Sequence, residues 1–261
     1  MPALSKYLSI STTTITPMAE DSDVCVIAEK PGSENPVIVE GFPGIGLVGN
    51  IASQQIIDEL DMKYLGAINS KHFPPVAMLL EGRVNMPVRI YESTEKEMIV
   101  VVSDIPIHPN IAYIVSKSLI DWAMSVNASQ IVSIAGMPIV GADNIVFGAA
   151  TTKEGLESIR EEVEIFQMGS ISGIAGSIMT ECFTRKLPAI SLLGSTSDPK
   201  PNPIAAAAVL KVLNNLYDLS IDTERLVKQA EQIELEMQKL AETVRETVEQ
   251  EAPPKPLPMY G

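Results

Sequence analysis

From Pro36 onward, two kinds of apolar run alternate along the chain. The first kind is short, rich in β-branched residues and bounded by turn formers. Val37-Ile38-Val39-Glu40 stops at Gly41; Lys63 to Ile68 and Val88 to Tyr91 follow; Met98 to Ser103 is almost wholly apolar. A strand apolar at successive positions is covered on both faces, so Met98 to Ser103, Gln130 to Ala135 and Ala189 to Leu193 predict interior strands. The second kind is longer and predicts helices over Leu47 to Leu60, Asn110 to Ser125 and Gly173 to Lys186. A further helix opens at Asn202-Pro203, where Asn supplies the capping oxygen and Pro suits the first helical position. The alternation predicts one α/β domain over residues 36–220, a mostly parallel or mixed sheet with helices on both faces. Residues 1–35 are Ser/Thr-rich and read as an N-terminal arm or edge strand, with Ser9 to Ile15 the candidate strand.

The C-terminal part has a different pattern. Residues 221–251 hold no Gly or Pro, and Asp222 stands where a helix cap belongs. Leu226, Ala230, Ile233, Met237, Leu240 and Val244 recur at steps of 4, 3, 4, 3 and 4, which is a heptad seam. Such a helix spans roughly 45 Å at about 1.5 Å per residue. Two readings stay open: the seam packs on its own domain, or it joins a neighbouring subunit or partner protein. Residues 252–261 carry four prolines and predict an extended tail reaching roughly 30 Å.

Composition narrows the function. The net charge of −14 repels phosphate backbones, and no basic run offsets it locally, which argues against nucleic acid as a partner. Two cysteines, Cys25 and Cys182, cannot build a disulfide framework. With His72 and His108 they lie too far apart in sequence for a zinc-like spacing. No run approaches the roughly 18 apolar residues of a membrane helix, and the N-terminus lacks a signal-peptide pattern, so the chain reads as cytoplasmic.

Three motifs invite chemical readings. Gly44, Gly46 and Gly49 form G-x-G-x-x-G between a strand and a helix, the pattern that brings a pyrophosphate against backbone amides. The next strand, however, ends in Asn69 and Ser70, without an acidic ribose ligand. Leu47-Val48 stands where a P-loop needs Lys and Ser/Thr. A tight turn with close helix–sheet packing, built on Gly41, Pro43, Gly44, Gly46 and Gly49, is the simpler reading. Gly169 to Gly173 resembles a nucleophile elbow, but Ile171 occupies the serine position. His108 and Asp198 each follow a strand and are candidate acid–base groups, with loop hydrogen bonding or capping the simpler role. No catalytic residue, cofactor site or metal site emerges.

The terminus Met259-Tyr260-Gly261 offers three separable contacts: an apolar side chain, a phenol and a carboxylate. Taken with Gly41 to Gly49, Gly173-Ile174-Ala175-Gly176, Asp198-Pro199 and Ala205 to Ala208, then Ile221-Asp222 with Leu226 and Ala230, the chain resembles the archaeal proteasome assembly chaperone family. That family is homologous to the second eukaryotic assembly chaperone. The resemblance implies a three-layer α/β/α sandwich similar to nucleoside-phosphorylase-like folds, no established catalysis, and homo-oligomers. It also implies that Met259, Tyr260 and the Gly261 carboxylate insert between α-subunits of the proteasome core particle. Two rival expectations stand beside it. One is a nucleoside- or phosphate-binding enzyme using the strand-end turn and Asp198; the other is a scaffold that binds another protein through the C-terminal helix.

Overall fold

The computed structural model describes residues 23–80, 82–139, 145–197 and 199–228. Nine strands form one mixed sheet in the order β1-β3-β6-β7-β2-β8-β11-β9-β10. The strands are β1 Val24–Ala28, β2 Val37–Gly41, β3 Lys63–Ser70, β6 Val88–Ser93, β7 Met98–Ser103, β8 Gln130–Pro138, β9 Val146–Ala150, β10 Glu164–Ile165 and β11 Ala189–Thr196. A separate antiparallel hairpin pairs β4 Met78–Leu80 with β5 Arg83–Asn85.

The four central strands, β7, β2, β8 and β11, run parallel. Antiparallel neighbours flank them on both sides. The β-branched runs occupy this centre because only there are both faces covered. Alternation along each strand then divides the core into two. Val39, Val100, Val102 and Val132 face one layer, where they meet helices α1 Val48–Glu59 and α5 Pro203–Tyr217. Ile38, Ile99, Val101 and Ile131 face the other, against α2 Pro109–Ser125 and α4 Gly173–Arg185. A short helix, α3 Lys153–Ile159, adds Ile159 to the first layer. The arrangement is three layers, helices on both faces of one sheet.

An edge strand does lie within residues 1–35, at Val24–Ala28: β1 runs antiparallel against β3, with Ile27 opposite Ala67. Ser9 to Ile15 lies outside the described residues. The sequence reading omitted β9, α3 and β10, which carry Gly148 at a strand centre where Ile159 and Val163 press against it. The predicted caps are present. Asn202 Oδ1 accepts from Ala205 N at 2.9 Å with Pro203 at the first position, and Asp222 Oδ1 accepts from Glu224 N at 2.8 Å.

Candidate functional site

The parallel strands β2, β7, β8 and β11 end on the same edge, where the loops into α1, α2 and α5 converge. The β2–α1 connection is Gly41 to Leu47, the glycine-rich segment. Gly41 lies so close to α1 that a Cβ there would stand 2.1 Å from the Gly49 carbonyl oxygen. A Cβ on Gly49 would stand 2.4 Å from the Ile134 oxygen on β8. Gly46 adopts φ 64°, a left-handed value that favours glycine, and Leu47 follows at φ 49°. A single 3₁₀ turn, Ile45–Leu47, feeds this geometry into α1.

Two amides of the turn bond within the protein. Gly46 N donates to the Pro199 oxygen at 3.3 Å, and Leu47 N donates to the Gly44 oxygen at 3.1 Å. Asn202 N returns a bond to the Gly46 oxygen at 2.8 Å. The turn thereby locks to the β11–α5 loop. Beside it lies a cleft of about 400 Å³ lined by Pro43, Gly44, Leu47, Asn50, Asp104 and Pro106. Asn50 Nδ2 is committed to the Ser103 oxygen at 2.7 Å, and Asp104 is paired with the buried Arg89 guanidinium. Among these lining residues the one charged group is a carboxylate, so the cleft supplies no cation to neutralise a phosphate. The glycines work in helix–sheet packing.

The most deeply buried charged group escaped the sequence reading. Glu40, at the penultimate position of β2, is fully buried on the α2/α4 side of the sheet. Ser133 Oγ, directly opposite on β8, donates to Glu40 Oε1, and Phe42 N donates to Oε2 at 3.3 Å. Burial pushes the carboxyl up to about 7 against the pull of those two bonds. Cys182 on α4 is buried on the same side, and its thiol is pushed up to about 12, by burial first and by Glu40 second. A buried, weakly nucleophilic thiol is a packing residue. The signal for Glu40 was present as a charged residue closing an apolar strand run.

The remaining candidates separate. His108 caps α2, its Nδ1 accepting from Asn110 N at 3.3 Å. Ile171 lies against α4, where a Cβ on Gly176 would stand 2.1 Å from the Ile171 oxygen. His72 pairs with Asp23 at 3.2 Å. Among the described residues no group of three His, Cys, Asp or Glu is placed to hold a metal, and no helix is long and apolar enough to cross a membrane. Leu226, the first seam residue, is buried in the α1/α5 core. Asp198, Ala230, Ile233, Met237, Leu240, Val244, Met259, Tyr260 and Gly261 lie outside the described residues.

The fold and sequence match known proteins over most of the chain. An uncharacterized protein of Methanocaldococcus jannaschii, MJ0106, is 36% identical over 209 residues, spanning 80% of this chain and 87% of that one. Pyrococcus furiosus PbaA, described as an archaeal homolog of proteasome-assembly chaperone, superposes with a TM-score of 0.81 at 34% identity, covering 87% of this chain and 95% of PbaA. Pyrococcus furiosus PbaB, described as an archaeal proteasome activator, superposes with a TM-score of 0.74 at 25% identity, covering 84% and 99%. The model of the PAC2 family matches residues 38–241, from the β2 strand through the first two-thirds of the expected C-terminal helix. By that match and by its likeness to MJ0106, the chain belongs to the PAC2 family, the group to which its resemblance to archaeal proteasome-assembly-chaperone homologues pointed.

Proposed function

We propose that this protein is a non-enzymatic assembly chaperone or activator of the proteasome, which engages α-subunits of the core particle through Met259, Tyr260 and the Gly261 carboxylate. The observation that carries the reading is the likeness to PbaA across the α/β/α domain, joined to the sequence Met259-Tyr260-Gly261. The likeness to PbaB, an activator by its description, supports the same partner. In this reading Met259 fills an apolar recess, Tyr260 sets the orientation through its hydroxyl, and the Gly261 carboxylate meets a lysine. The four prolines of residues 252–261 keep the arm extended, which lowers the entropy lost on docking.

A three-residue anchor binds weakly alone. Self-association of the chain multiplies the arms and raises avidity by about 10²–10⁴. Apolar side chains held in the open on the β4–β5 hairpin, Leu79 and Val84 at 72% and 76% exposed, support a chain that associates with copies of itself. The asparagine and the carboxylate of the strand-end cleft are bonded within the protein, to the Ser103 oxygen and to Arg89. The test is pull-down of proteasome α-subunits by the intact chain and by a variant lacking residues 259–261. The reading expects capture by the first and loss with the second; equal capture overturns the tail's role.

A further inference from the structure

The β4–β5 hairpin and the strand-end cleft lie on the same edge of the sheet. Val88, the first residue of β6, stands opposite Ser103 at the end of β7, and Gly41 at the end of β2 stands opposite Val102. The root of the hairpin is fastened there. Asp104 N donates to the Pro87 oxygen at 2.9 Å, and Arg89 Nη1 donates to the Met86 oxygen at 3.1 Å. Beyond that root, β4 and β5 form a sheet of their own, and none of the described residues 76–86 joins either apolar core. Residues 74–80 are apolar without interruption, and all of them except Met78 are exposed. Leu79 and Val84 are cross-strand partners on one face of the hairpin; Leu80 and Arg83, the next pair, share the other. A two-stranded hairpin is marginally stable alone in water, and an open apolar patch marks a contact surface.

The cleft is the concave counterpart. One wall, from the β2–α1 connection, carries Pro43, Gly44 and Leu47; the other, from the β7–α2 connection, carries Asp104 and Pro106. No hairpin residue of the same chain is among those lining it. Gly44 differs from the other glycines of the turn, because nothing inside the domain requires a glycine there. Its φ is −148°, and an added Cβ would meet no heavy atom within 4 Å beyond the adjoining residues. The missing side chain leaves the cleft open to the close approach of another backbone. The volume of about 400 Å³ is more than twice the roughly 150 Å³ that admits a benzene ring, so the Leu79 and Val84 side chains fit together.

We propose that the β4–β5 hairpin of one copy of this chain seats, turn first, in the strand-end cleft of a second copy. Leu79 and Val84 meet the wall of Pro43, Gly44 and Leu47, and Arg83, on the opposite face, meets the wall that carries Asp104. Charge selects a copy as the occupant. Residues 73–86 hold one acid, Glu81, and one base, Arg83, within a chain of net charge −14. Two such chains repel each other least where they meet through this neutral segment. The exposed Arg83 also matches the one charged side chain among the cleft's lining residues, Asp104. Shape agrees, since an outlying apolar hairpin faces an apolar-walled recess and every copy carries both halves of the contact. The inference rests on the self-association within the proposed function and gives it a surface.

Light scattering on the full chain tests it with two variants that each remove one half. Leu79→Asp with Val84→Asp spoils the hairpin, and Gly44→Trp fills the cleft. All three positions are exposed, and an unchanged urea midpoint checks that each variant folds. Leu79→Ser and Gly44→Leu are milder forms that replace any variant failing that check. The parent is expected to associate, and each variant alone to need at least about tenfold higher concentration for half-association. An equimolar mixture of the two is expected to regain association, stopping at one chain of each, because one intact hairpin then meets one intact cleft. A parent that stays a single chain at every concentration, a variant that associates as well as the parent, or a mixture no better than its parts overturns the proposal. So does a hairpin variant that loses capture of proteasome α-subunits while its self-association is intact, which gives the hairpin to that partner instead. Capture of α-subunits by the parent is measured separately, so the proposed function and the hairpin contact can each fail without the other.

Discussion

Glu40 is the residue whose chemistry is most at odds with its surroundings. It sits fully buried beside Ser133 in a sheet otherwise filled with Val and Ile, and its carboxyl titrates at about 7 against an ordinary 4.5. Between those values the folded protein holds a proton that the unfolded chain has released. The associated stability is therefore complete below pH 4.5 and is lost as pH rises to about 7. At about 1.4 kcal/mol per unit, the loss across that window is on the order of 3 kcal/mol. Glu40→Gln keeps two acceptor sites on its oxygen and removes the titration. Urea unfolding from pH 4.5 to 8 is expected to show the variant gaining on the parent by that order; parallel curves would contradict the assignment. The turn makes a second residue-scale prediction. Gly41→Ala drives a Cβ into the Gly49 carbonyl and Ser53 Oγ, both at 2.1 Å, and is expected to cost about 1–3 kcal/mol or more in the same assay.

At the scale of elements, caps and loops hold the strand-end edge together. Asn202 bonds Ala205 N, the Thr196 hydroxyl at 3.0 Å and, through its own amide, the Gly46 oxygen. Asn202→Ala is expected to lose about 1 kcal/mol for the cap alone, read as a lower urea midpoint at an unchanged slope. Asn202 was legible beforehand because Asn-Pro before an Ala-rich run has one economical explanation. So were the interior strands: Met98 to Ser103 is apolar throughout because both faces are covered. The edges were harder to read. In β1, Val24 and Val26 are buried while Ile27 faces outward, so five residues give little period to detect. Leu79, Leu80 and Val84 of the β4–β5 hairpin are apolar yet exposed, opposite to what burial-based reading assumes. The glycine segment was legible as a tight turn, but its partners Pro199 and Asn202 are about 150 residues away in sequence and only folding joins them. Glu40 was missed because a terminal strand charge ordinarily reaches water.

The described part of the molecule is a three-layer domain, and the sequence that follows it, without Gly or Pro over residues 221–251 and with four prolines over residues 252–261, has a strongly different composition. Division of labour follows from this: the domain spends its glycines and caps on its own packing, and the segment after Lys228 carries the features suited to a partner. Salt supplies a prediction at this scale. With a net charge of −14, the chain approaches a partner against its own field unless the contact is basic. A carboxylate–lysine anchor is expected to weaken as sodium chloride rises from 50 to 500 mM, and binding that is insensitive to salt would contradict that anchor. The most direct test of the central claim is a titration of purified archaeal proteasome core particles with the intact chain and with Tyr260→Ala. The variant leaves the α/β/α domain untouched. The account predicts at least tenfold weaker binding by the variant; equal affinity for the two proteins would contradict it.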